Sequence, residues 1–71
     1  MNTFSKRAIW LAVNSDEYGD WLVEIAQEHT RLARELIVNK HLTDENKEIF
    51  AARIEQLRKE RDSILRQFEG R

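Results

Sequence analysis

Two stretches of this chain place their seam positions at alternating spacings of four and three. Tyr18, Leu22, Ile25, His29, Leu32 and Leu36 form the first, and Phe50, Ile54, Leu57, Arg61, Ile64 and Phe68 the second. That alternation keeps one face of an α-helix turned toward a partner, whereas a half-buried strand would alternate every second residue. No proline interrupts either run, and the 71 residues contain only two glycines, Gly19 and Gly70. The rest is rich in Ala, Leu, Glu, Arg, Lys and Gln, which favour helix. The expectation is an all-α fold: a long antiparallel two-helix hairpin, coiled-coil-like, with a short third helix at the N-terminus.

Boundary residues place the helices at about 3–13, 16–40 and 44–69, in a single domain covering 1–71. Thr3 or Ser5 suits the first N-cap. Asn14 with Glu17 three residues on has the pattern of a capping box for the second helix, with Asp20 as the alternative cap. Thr43 followed by Asp44 and Glu45 fits a third N-cap, since acidic groups are favoured at the positive end of the helix dipole. A turn near 41–43 then makes the long helices antiparallel neighbours. One register matches every seam position, pairing Leu36 with Phe50, Leu32 with Ile54, His29 with Leu57, Ile25 with Arg61, Leu22 with Ile64 and Tyr18 with Phe68. It also sets the acidic stretch from Asp16 to Glu28 beside the basic stretch from Arg58 to Arg66.

Composition excludes several functional classes. The chain has no cysteine, so it holds no disulfide framework and no thiolate metal site. Two widely spaced glycines cannot build a phosphate-binding loop. The longest apolar run, Ala8 to Val13, is six residues, against the roughly 18 needed to span a bilayer. That run has no small-residue cleavage site after it, so a cytoplasmic protein without a leader is expected. A formal charge of −1 argues against bulk nucleic-acid binding.

Few residues suggest chemistry. His29 and Arg61 fall on the seam as its polar members. The reading is structural: a boundary imidazole near Glu24 or Glu28, and a guanidinium paired with one of those acids to fix register. His29 and His41 lack the spacing of a metal pair, and no serine has a histidine-plus-acid arrangement that the sequence can point to, so no metal, cofactor or catalytic residue is assigned. The candidate partner-binding residues are Trp10, Tyr18, Trp21, Arg31 and Arg34, because tryptophan, tyrosine and arginine are over-represented at binding hot spots. The two tryptophans are read first as core fillers and second as interface anchors. Apolar residues also lie off the seam, among them Trp21, Ala26, Ala33, Ile37, Ile49, Ala51 and Leu65, and they widen the stripe beyond what a two-helix seam needs.

The expected function is therefore a non-enzymatic protein–protein interaction module, a small regulator or inhibitor of a larger protein, that self-associates. A nucleic-acid-binding hairpin with a basic face is the alternative. A membrane-surface role for Lys6, Arg7 and the apolar residues after them is weaker still. The layout is similar to that of the sporulation-phosphatase regulators, which pair two antiparallel helices. Between Phe50 and Leu57, however, this chain has Ala51, Ala52 and Glu55 and lacks the serine that their second helix carries four residues before an aspartate. The likeness is one of architecture.

Overall fold

The structure, a computed structural model, describes residues 4–70. It is all-α, with helices α1 (Lys6–Val13), α2 (Gly19–Val38) and α3 (Asp44–Phe68), and no strand among the described residues. The long helices α2 and α3 form the hairpin, and α1 packs on both.

Each boundary has a local cause. The Ser5 hydroxyl accepts from the Ala8 amide at 3.1 Å and caps α1, so the helix begins at Lys6; Thr3 lies outside the described residues. α2 starts at Gly19 rather than near Asp16, because its proposed capping residues serve elsewhere. The Asn14 amide nitrogen donates back to the Trp10 carbonyl at 2.8 Å, closing α1. The Ser15 hydroxyl donates to the Ala12 carbonyl at 2.9 Å and accepts from the Tyr18 amide at 3.0 Å, which holds residues 15–18 in a turn. α2 ends at Val38, two residues short of the expected end. The Asn39 side chain accepts from the His41 amide at 2.9 Å and draws the chain off the helical path. Thr43 accepts from the Asn46 amide at 3.1 Å, and α3 runs from Asp44 to Phe68.

The corner between α1 and α2 depends on Gly19. A Cβ built there would stand 2.5 Å from the Val13 carbonyl oxygen, so the end of α1 closes onto the first turn of α2 only because that position has no side chain.

The core gathers at the open end of the hairpin, where α1 lies. Ala8 and Ala12 let α1 approach closely and pack with Leu22, Ile25, Leu57, Ile64, Leu65 and Phe68; Phe4, Leu11, Tyr18 and Leu32 pack around them. The Tyr18 and Phe68 rings meet edge-on with centroids 5.9 Å apart, as the expected register requires at that layer. Toward the connection the seam thins, and Leu36 and Phe50 are only half-buried. Two expectations about the seam are corrected. Arg61 is exposed: its guanidinium turns along its own helix to Asp62 Oδ1 at 3.1 Å, because a charge kept in water avoids the cost of desolvation. No ion pair among the described residues joins the acidic stretch to the Arg58–Arg66 segment, whose arginines Arg58 and Arg61 pair within α3. Glu28 takes Arg53, nearer the connection than the Arg58–Arg66 segment.

Candidate interaction surface

The hairpin has two flanks of opposite character. One is sealed by polar contacts. Arg53 grips Glu28 with both arms of its fork, Nε to Oε2 at 2.6 Å and Nη2 to Oε1 at 3.1 Å. Farther down, the Tyr18 hydroxyl donates to Gln67 Oε1 at 3.1 Å, and the Trp21 ring leans on Tyr18 at 6.2 Å. The hydrogen bond from Arg53 holds the Glu28 carboxyl below its ordinary range, with the fields of Arg53 and Arg31 adding to it against some desolvation. The same bond raises Arg53.

The other flank is open. A groove of about 270 Å³ runs between the helices, floored by Leu22, Ile25, Leu57 and Leu65, with Ile9 and Val13 of α1 forming one lip. His29, Arg58 and Arg61 stand along it. Two shallower hollows continue it over α2 and share Thr30 with it. One is lined by Val23, Ala26, Arg31 and Arg34, the other by Ala33, Ile37 and Val38. The hollows exist because Ala26, Thr30 and Ala33 are small beside Val23, Arg34 and Ile37. No carboxylate lines any of the three.

The sequence candidates fall out unevenly on this surface. Arg31 and Arg34 are exposed on α2 and border the open face. His29 is half-buried in the groove, and the neighbouring Glu28 carboxylate is taken by Arg53 rather than by the imidazole. Trp10 is 64% exposed and Trp21 47%, so neither is the core filler expected first. They sit apart, Trp21 against Tyr18 on the sealed flank and Trp10 on the outer side of α1. Tyr18 is half-buried and tied to Gln67. Sequence reasoning missed Ile9, Val13, Val23 and Thr30. A signal was present for two of them: Val23, Ala26, Thr30, Ala33 and Ile37 repeat the three-and-four spacing of the seam on a second face of α2.

No group of histidine, aspartate and glutamate among the described residues has the geometry to hold a metal ion, and no described helix is long and apolar enough to cross a membrane. No protein-family model, curated protein or solved structure matches the chain.

Proposed function

We propose that this chain is a non-enzymatic protein–protein interaction module that acts as a small regulator through the outer face of α2. The supporting observation is that face itself. Five consecutive positions at helical spacing, Val23, Ala26, Thr30, Ala33 and Ile37, carry no charge, and Ile37 leaves 81% of its surface in water. Isolated exposed apolar residues are ordinary, but a continuous uncharged strip along a helix is the pattern by which helices dock. The hairpin offers grooves rather than a cavity enclosing convergent acid, base and nucleophile, which favours binding over catalysis.

Photo-crosslinking in cells tests this reading. A photoreactive residue at Ile37 should capture protein, and the same probe at exposed Gln56 of α3 should not. Equal labelling from both positions, or none, overturns it. The alternative, a nucleic-acid-binding hairpin, draws on Arg31, Arg34, Arg58 and Arg61 around hollows free of carboxylates. The side chains between those arginines are mostly aliphatic, with His29 the one ring among them, whereas single-stranded nucleic acid stacks on successive aromatic rings, so protein is the better fit. Nuclease-sensitive adducts at Ile37 would reverse that preference.

A further inference from the structure

The outer face of α2 bears charges as well as an apolar strip, and the charges are ordered. Asp20 and Glu24 lie in its N-terminal half, Arg31 and Arg34 in its C-terminal half, with Gln27 between. All five are exposed, and none of the four charged groups takes part in a salt bridge among the described residues. A helix face that is acidic at one end and basic at the other is complementary to itself turned end for end. We propose that the occupant of this face is a second copy of the chain, with α2 pairing antiparallel to its counterpart about a two-fold axis level with residues 27 and 28; the proposal rests on the interaction-module reading above and names its partner.

The strip fixes the register. When Val23 is placed opposite Ala33 of the second copy, Ala26 falls opposite Thr30, and symmetry repeats both pairs. Each layer then sets a larger side chain against a smaller one, as close helix packing requires. Ile37, the most exposed of the large apolar residues, arrives at the far end of the strip, where Val13 closes onto Gly19. The same register sets Asp20 beside Arg34 along the flank of the strip, an ion pair that the two-fold repeats. The alternatives do worse. A parallel arrangement puts Arg against Arg and Asp against Asp. A shift of one heptad leaves Gln27 beside Arg34 and carries Asp20 past the end of the second α2 at Val38. Because the same patch serves both copies, association closes at two and does not propagate. The two hairpins are then joined through α2, which covers Ile37 at the connection end where each hairpin alone is thin.

Charge reversal tests the pairing. Analytical ultracentrifugation of the wild-type chain should give twice the 8.5 kDa chain mass. Arg34→Glu alone, or Asp20→Arg alone, sets like charges together at two symmetric places and should raise the dissociation constant by about tenfold or more. Mixing the two variants should restore dimers, since the new arginine at position 20 of one chain then meets the new glutamate at position 34 of the other. Both sites are exposed, and far-UV circular dichroism of each variant checks that the helices remain. A wild-type chain that stays monomeric into the millimolar range overturns the proposal. So does a dimer indifferent to both reversals, or a mixture that fails to pair. A monomer whose Ile37 probe crosslinks a different protein in cells removes the second copy as occupant and leaves the interaction-module reading standing. A monomer with no protein crosslink removes both.

Discussion

Gly19 and Leu57 show how single positions govern this small structure. At Gly19, replacement by alanine would satisfy helix propensity, worth about 1 kcal/mol. It would also drive a methyl group to 2.5 Å from the Val13 carbonyl oxygen, a backbone atom that cannot swing aside. The end of α1 must then lift, and overpacking of this kind costs about 1–3 kcal/mol. Gly19→Ala is therefore expected to lower the thermal midpoint despite the better helix former, as calorimetry would show. Leu57 is 1% exposed at the centre of the core. Leu57→Ala should cost about 2–5 kcal/mol, comparable to the whole stability of a chain this size, and urea denaturation should find it largely unfolded. Glu28 contributes a pH dependence of defined sign. Its folded-state pKa lies below the ordinary carboxylate value of 4.5, so the stabilisation is present above that value and is lost as pH falls through the lowered one. Arg53→Gln should flatten this acid limb in a pH titration of thermal stability, with little change near neutrality in its slope.

At the level of elements, the sequence read well where one local interaction decided the outcome. The three-and-four spacing specified two long helices, and Ser5 and Thr43 cap α1 and α3 with their own hydroxyls. It read poorly where one side chain had two possible employers. Asn14 and Ser15 are equally good at starting a helix or finishing one, and the tertiary corner at Gly19 settled them on the finishing side. The seam positions of α2 and α3 were legible, but not which of them α1 would cover, because an eight-residue helix protects only the end it crosses. Arg61 sits at seam spacing and still reaches water, since a long stem can lie in a groove while its charged head leaves it. The open strip on α2 was half visible. Ala26, Ala33 and Ile37 stood out as surplus apolar residues, whereas Val23 and Thr30 join them through the repeated spacing, which gains its meaning once the other flank is seen to be sealed.

For the whole molecule, 45 Å long and 16 Å across its thinnest axis, packing is graded from one end to the other. α1, the N-terminal part of α2 and the C-terminal part of α3 share the buried residues, while the connection end holds Leu36 and Phe50 half-exposed. Local opening follows such gradients, because it costs least where few apolar contacts must be broken. In dilute solution, amide hydrogen exchange should therefore be slowest around Leu57–Phe68 and fastest through the turn and the flanking ends of both long helices. Raising the concentration should change that profile selectively. If two copies meet along α2, protection must rise from about Ala26 to Ile37, where the free hairpin is thin. It must rise far less at Asp44–Gln56, which faces away from the proposed seam. A rise spread evenly along both helices would mean that the chain associates by some other surface. No rise at all would mean that the graded monomer is the working form and that the strip on α2 awaits a different protein.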